Sequence, residues 1–384
     1  MKPADRCEKI TPFIVMEIME KIHKMEASGI DVIHMEIGEP DFNVPECVNK
    51  VSIEAFAENE THYTHSLGDI RLREAISEYH KTTYNTFIDP GQILVTSGTS
   101  PAMLLLFSAL VNPGDEIIIS DPHYACYANF INYVQGVPVT APVFEDQGFV
   151  YTPEAIKEKI TSKTRGIFIN SPSNPTGNVI PKERMQQIVD IAKANNLYVI
   201  SDEIYHGLVY EGQEHSIYEF TDKAFVLNGF SKLFAMTGLR LGYLIAPPEF
   251  VRALQILQQN FFICANSVAQ LAGVAALKYA HKETRIMRET YNKRRIYVLD
   301  RLKQMGLGIT IEPTGAFYVF ANVKHISMDS YALAVDILEK AHVGVTPGID
   351  FGENGEGYLR FSYANSMEKL KIGLDRMEGY LKEL

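Results

Sequence analysis

Tryptophan is absent from the 384 residues, and cysteine is scarce: Cys7, Cys47, Cys126 and Cys264 share no C-x-x-C spacing. That pattern excludes a disulfide framework or a cysteine zinc site and reads as reduced thiols in a cytosolic protein. No H-E-x-x-H pattern occurs, and His62 and His65 flank Tyr63 without a cysteine or acidic partner pattern, so no metal site is expected. Long apolar runs are missing too. The longest, residues 102–111, includes Ser108 and falls well short of the roughly 20 residues that cross a bilayer. Residues 1–9 are polar and lack the apolar core of a signal peptide. Positive charge is in deficit, with 36 Lys and Arg against 47 Asp and Glu and a net charge of −11. This argues against a nucleic-acid surface. What is present, 46% hydrophobic and 22% charged residues, suits a globular protein long enough for two domains.

From about residue 90 short apolar runs alternate with amphipathic stretches. Strands are predicted at 93–96, 116–120, 166–170, 197–201 and 224–227, and helices at 101–111, 124–133 and 182–195. Such alternation means an α/β domain with a largely parallel sheet. The run 241–246 follows its predecessor too closely for a helical crossover and is expected antiparallel. The strand at 224 is expected to break at Asn228-Gly229. Helices are predicted at 14–25 and 45–59 ahead of this region, and at 265–279 and 283–305 after it. Short strands at 309–311, 316–321 and 358–362, with helices at 331–341 and 366–384, make a smaller α+β unit. The acidic glycine loop 352–357 lacks the lysine and helix of a phosphate loop and reads as a turn.

Polar residues gather where the parallel strands should end. Asn174, Asp202 and Lys232 lie about 30 residues apart, the length of one βαβ unit, and open α/β sheets bind ligands at that edge. Lys232 is flanked by Phe230, Leu233 and Phe234. An ammonium among apolar neighbours must be paired or lose its charge, and a lowered pKa makes an amine a nucleophile toward a carbonyl. The blander alternative is a loop lysine that reaches water. Asp202 follows an apolar run and calls for a cation, or else serves as an N-cap. Tyr205 can equally be an ordinary packed tyrosine. Ser97-Gly98-Thr99-Ser100, between a strand and an apolar helix, offers N–H groups and hydroxyls to an anion, or simply caps the helix. Arg240, eight residues after Lys232, would add charge to the same anion. A phosphate, a cation facing Asp202 and a carbonyl for Lys232 together describe one small molecule, pyridoxal 5′-phosphate.

Six stretches then point to a family. They are Gly-Glu-Pro-Asp-Phe (38–42), Tyr-x-x-x-x-Gly-x-x-x-Leu-Arg (63–73), Asn-Pro-Thr-Gly (174–177), Asp-Glu-x-Tyr (202–205), Ser-Lys-x-x-x-Met-Thr-Gly-x-Arg (231–240) and Arg-x-Ser-Tyr (360–363). With these, over nearly its whole length, the chain resembles the fold type I pyridoxal-phosphate aminotransferases of the class I family, in the prokaryotic aspartate/aromatic branch. The resemblance implies a mostly parallel seven-stranded sheet sandwiched by helices, with a smaller α+β domain. It places the large cofactor-binding domain at 45–277 and the small one at 1–44 plus 278–384. It implies an enzyme that moves an amino group between L-amino acids and 2-oxo acids such as 2-oxoglutarate, as a cytoplasmic homodimer, with no nucleic acid, membrane or metal partner.

Residue by residue, the resemblance makes Lys232 the amine that holds the cofactor and then carries the proton at the substrate Cα. Asp202 would keep the pyridine nitrogen protonated. Tyr205 and Asn174 would hold the phenolic oxygen, and Tyr124 would lie on the ring face. Gly98, Thr99, Ser100 and Arg240 would bind the phosphate, and Tyr63 would reach the phosphate of the neighbouring subunit. Arg360 would take the substrate α-carboxylate, helped by Asn174 and the Gly38 backbone. Where many relatives carry a serine phosphate ligand, this chain has Gly229, with Ser231 as a substitute. Where part of the aspartate branch has a lysine that reads an acidic side chain, this chain has Thr99-Ser100. The N-terminal segment offers Thr11, Phe13, Ile14 and Val15, which favours apolar or aromatic donors over strict aspartate specificity. Carbon–sulfur β-lyases and cyclopropane-carboxylate synthases share the lysine, aspartate and arginine, so they stand as alternatives, as does a non-catalytic cofactor-binding regulator. The regulator reading calls for an N-terminal DNA-binding segment, for which about 10 residues precede the match.

Overall fold

The structure, a computed structural model, describes residues 2–384. In chain order its strands are β1 (Ile33–His34), β2 (Ile93–Thr96), β3 (Glu116–Asp121), β4 (Val137–Pro142), β5 (Thr164–Asn170), β6 (Tyr198–Asp202) and β7 (Ala224–Gly229). They continue with β8 (Gly242–Ile245), β9 (Tyr318–Asn322), β10 (Val343–Gly344), β11 (Thr346–Pro347) and β12 (Tyr358–Ser362). Seven strands form one sheet in the order β2-β8-β7-β6-β5-β3-β4. β8 is antiparallel to β2 and β7, and every other pair is parallel. Because β8 reverses the direction on both sides, β2 and β7 run the same way. Their C-terminal ends therefore share one sheet edge with those of β5 and β6.

The two-residue period of a strand sorts its side chains onto two faces. In β7, Ala224 and Val226 join the core that also holds Ile76, Ile188 and Ala272, while Phe225 and Leu227 join the core of Leu105, Phe107 and Leu254. Both faces are thus apolar, as a parallel sheet covered by helices requires. Helices Glu46–Ala57, Ile70–Tyr84, Lys182–Ala194 and Ser267–Tyr279 supply residues to the first face. Thr99–Leu110, Cys126–Tyr133 and Pro248–Phe261 supply the second. A separate core gathers Ile33 and Met35, the long helix His281–Gln304, β9, β12 and the helices Ser330–Ala341 and Met367–Lys382. Its sheet is antiparallel, in the order β11-β12-β9, and β1 pairs with β10. Ile204, Tyr205 and Leu208 of the turn after β6 also belong to this separate core. The turn thereby ties the large sheet's edge to the smaller sheet. Among the described residues no helix is long and apolar enough to cross a membrane.

Several local expectations are corrected. The strand at 224 does not break at Asn228-Gly229 but runs through both, paired with β8. Gly229 permits this, because a Cβ there would lie 2.9 Å from the Leu241 carbonyl and 3.0 Å from the Gly242 Cα. Residues 309–311 form no strand: one isolated bridge joins Gly308 to Asn322, and the Thr310 N–H instead donates to Glu145 Oε1 at 2.8 Å. The helix expected at Pro101 begins at Thr99, and that expected at Tyr124 begins at Cys126. Helices Ile70–Tyr84 and Pro248–Phe261 and strand β4 were not among the sequence expectations.

Candidate active site

One cavity of about 360 Å³ opens at the C-terminal edge of the sheet. Lys232, three residues past β7, projects into it half-buried, and its Nζ donates to the Gly38 carbonyl at 2.6 Å. Burial pulls its pKa down to about 8. Glu39 and Asp202 oppose that shift, while Arg360 and Arg240 reinforce it. Asp202, the last residue of β6, is buried. Its Oδ2 accepts from the Tyr127 hydroxyl at 2.6 Å, and its Oδ1 accepts the Ile204 N–H at 3.1 Å. Burial raises this carboxyl to about 6, against the lowering effect of those hydrogen bonds. The carboxylate lacks a cationic partner in contact, and a protonated ring nitrogen would supply one.

The anion corner lies at the start of helix Thr99–Leu110. Gly98 is its N-cap, at φ +97°, and no side chain caps the helix. Its first N–H groups are therefore left for a ligand. A Cβ on Gly98 would stand 2.6 Å from an Arg240 Nη, so glycine is what lets the guanidinium close over the turn. Arg240 also donates to the Thr237 carbonyl at 3.0 Å. Thr99, Ser100, Ser231 and Arg240 all line the cavity. The close approach of β8 at Gly229 explains why no side chain from that position joins them.

Across the cavity, Arg360 in the middle of β12 is buried. It donates to Asn174 Oδ1 at 2.9 Å, to Thr346 Oγ1 at 3.1 Å and to the Glu36 carbonyl. Its Nε is buried without a partner, a vacant donor suited to a carboxylate. Asn174 is oriented by its own N–H, which donates to Asn170 Oδ1 at 2.8 Å. Tyr205 and Tyr318 share a hydrogen bond of 2.8 Å between hydroxyls. The outer wall is apolar: Phe13, Val15, Met16, Met19, Ile37 and Met103. The helix Ile14–Ala27 brings several of these residues in, and Asp350 fixes its start by accepting the N–H groups of Ile14 (2.9 Å) and Val15 (3.3 Å). Tyr124 meets the rings of Phe13 and Tyr127 edge-on, at 5.8 and 5.3 Å.

The structure thus brings together Gly38, Thr99, Ser100, Tyr124, Asn174, Asp202, Tyr205, Ser231, Lys232, Arg240 and Arg360, with Gly98 directly behind Arg240. Phe13 and Val15 line the same cavity, whereas Thr11 pairs with Asn129 outside it. Tyr63 is not among the lining residues; it stands on the surface, 80% exposed. Tyr127, Tyr318, Glu39, Thr346 and the Met16–Met19 pair are residues that sequence reasoning did not single out. The buried carboxyl, the uncapped helix start beside Arg240, the depressed amine and the vacant Arg360 Nε fit a pyridoxal phosphate with an amino-acid carboxylate beside it.

Comparisons with known proteins agree with this geometry. Residues 30–377 match the family model described as aminotransferase class I and II. The (5-formylfuran-3-yl)methyl phosphate transaminase of Methanocaldococcus jannaschii is 43% identical over 375 residues, covering 97% of this chain and 97% of that relative. An aspartate aminotransferase of Pyrococcus horikoshii is 40% identical over 384 residues, covering 99% of this chain and 97% of its own length. Among solved structures, a double mutant of the Thermus thermophilus aspartate aminotransferase superposes with a TM-score of 0.95 at 34% identity, covering 99% of both chains.

Proposed function

The chain belongs to the class I and II aminotransferases, and from that premise we propose a pyridoxal-phosphate-dependent transaminase that prefers L-amino acids with apolar or aromatic side chains and passes their amino group to a 2-oxo acid. When bound, the pyridoxal ring supplies an aldehyde for an amine and a sink for the electron pair left at Cα. The chain's own residues do the rest. With a pKa near 8, the Lys232 amine is partly deprotonated at neutral pH, so Nζ can take and return the proton at the substrate Cα. Asp202, buried and held by Tyr127 and Ile204, keeps a positive charge opposite it. Tyr205 and Asn174 would hold the phenolic oxygen, Tyr124 would lie on the ring face, and the helix start at Gly98-Thr99-Ser100, with Ser231 and Arg240, would hold the phosphate. Arg360 clamps the α-carboxylate through a planar fork, with Asn174 and the Gly38 backbone beside it. In this reading residues 45–277 form the cofactor-binding domain, and 1–44 with 278–384 form the smaller one. The enzyme works in the cytoplasm as a homodimer.

The observation that carries the donor preference is the charge inventory of the cavity. Among the described residues of this chain that line it, the cations are Lys232, Arg240 and Arg360, and each already has a role. Where a side-chain carboxylate would lie, the wall offers Phe13, Val15, Met16, Met19 and the acidic Glu39. Burying apolar area stabilises by about 25 cal/mol per Å², whereas an acidic side chain without a cation is penalised. Phenylalanine, tyrosine, leucine and aspartate should be compared as donors with 2-oxoglutarate. The aromatic and apolar donors should exceed aspartate in kcat/KM by roughly tenfold or more. A preference for aspartate would overturn the proposal in favour of an aspartate aminotransferase like the Pyrococcus relative. Release of pyruvate and ammonia in place of amino transfer would make it a lyase.

A further inference from the structure

Tyr318 opens β9 and is 1% exposed, and three groups of the site meet on it. Its hydroxyl is 2.8 Å from that of Tyr205. Its ring lies under the Arg360 guanidinium, with Cζ 4.5 Å from the ring centroid. Its hydroxyl also occupies the space beside Gly38, where a Cβ would come within 2.1 Å of it. The Gly38 carbonyl is the acceptor for Lys232 Nζ. A phenylalanine here would fill the same volume and present the same face to Arg360. What a phenylalanine would lose, besides the contact with Gly38, is the hydrogen bond to Tyr205, the hydroxyl's partner among the described residues.

We propose that Tyr318 is a positioning residue with two separable effects: its hydroxyl fixes the direction of the Tyr205 hydroxyl proton, and its ring is the shelf that holds Arg360 flat. The inference rests on the proposed pyridoxal-phosphate chemistry. Two phenols sharing one hydrogen bond have two arrangements of their protons. When Tyr318 donates, the Tyr205 proton is left to point into the cavity at the phenolic oxygen it is proposed to hold, and chained hydrogen bonds strengthen each other. The ring contributes through a cation–π contact in a dry site, which keeps the fork of Arg360 in the plane that a carboxylate needs.

The two effects can be separated by substitution on purified holoenzyme. Tyr318→Phe should raise the midpoint of the pH titration of the bound cofactor's visible band by about half a unit or more. It should also lower kcat roughly threefold to tenfold, with little change in KM. Tyr318→Leu should in addition raise KM for all amino acids alike, by about tenfold. In a Tyr205→Phe background, Tyr318→Phe should leave the midpoint unmoved. An unchanged midpoint in Tyr318→Phe, or an equal shift with and without the Tyr205 hydroxyl, would overturn the proposal. Should Tyr318→Leu fail to fold, the Tyr318→Phe and Tyr205→Phe pair still decides it. If wild-type protein takes up no pyridoxal phosphate and shows no visible band, it is the underlying functional reading that fails.

Discussion

At Asp202 the capping contact open to an aspartate after a strand is present, and the cation it would also suit is left for a ligand to supply. Its Oδ1 caps the turn through the Ile204 N–H, as a local capping residue would, while Oδ2 is held by Tyr127 from 75 residues away. Burial lifts the carboxyl to about 6, so the site keeps a costly group that a cation would stabilise. Asp202→Ala should lower kcat by on the order of 10²-fold or more, as expected for a charge acting in a water-excluded site. Asp202→Glu should cost less. Steady-state kinetics at saturating cofactor would check this, and equal rates for wild type and Asp202→Ala would reduce the residue to a turn cap. Lys232, Asp202, Asn174 and Arg360 are legible in the sequence because each sits in a short motif at a strand end or within one. Tyr127, Tyr318 and Thr346 are not, since what defines them is contact across the fold: Thr346 reaches Arg360 only because β11 pairs with β12.

Among elements, apolar runs with few neighbours to choose from were readable, and those shaped by a partner were not. β4 carries Pro138 and Pro142, which argue against a strand, yet it is an edge strand paired only to β3, where a missing N–H is tolerated. Helix Ile70–Tyr84 is largely polar, and its buried stripe of Leu72, Ile76, His80 and Tyr84 includes a histidine and a tyrosine. That stripe meets the turn behind Asp202 in a buried polar cluster. The Tyr84 hydroxyl lies 2.8 Å from His206 Nδ1, and Glu203 accepts the Ile217 N–H at 2.9 Å. Burial pushes Glu203 up to about 8 and His206 down to about 3, so this pair, 3.5 Å apart, is neutral near pH 7. A carboxyl raised in the folded state gives stability that is full below its unfolded value and is lost as pH rises through about 8. A depressed histidine gives stability present above its unfolded value and lost as pH falls through about 3. Thermal melts should therefore decline from about pH 6.5 to about 8 and level off above that, and Glu203→Gln should flatten the decline while leaving the acid limb in place. A variant with the wild-type alkaline slope would show that Glu203 is ionised in the folded protein.

The proposed homodimer belongs to the scale of the whole molecule, and its motive is a tyrosine with no work to do at home. Tyr63 is 80% exposed and lies outside its own cavity. Its loop is nonetheless tightly held. Ser66 Oγ accepts from Gln255 (3.0 Å) and Gln259 (3.2 Å), and Ser267 Oγ donates to the Glu60 carbonyl at 2.9 Å. Those anchors lie beside Phe261 and Ile263, which are 58% and 49% exposed. Tyr63, Phe261 and Ile263 are thus large exposed side chains on segments tied to one another, of the kind a partner surface covers. A two-fold pairing would bury this face on both copies and carry each Tyr63 hydroxyl toward the other's anion corner. Tyr63→Phe should then weaken cofactor retention by ~1.5–3 kcal/mol, the range for a hydrogen bond to a charged group. Inactive Lys232→Ala and inactive Tyr63→Ala subunits, mixed under conditions where subunits exchange, should recover activity. One of the two sites in each hybrid has its own Lys232 and a partner's intact Tyr63. Sedimentation showing a fully active monomer would refute the shared site, and so would exchange without recovery.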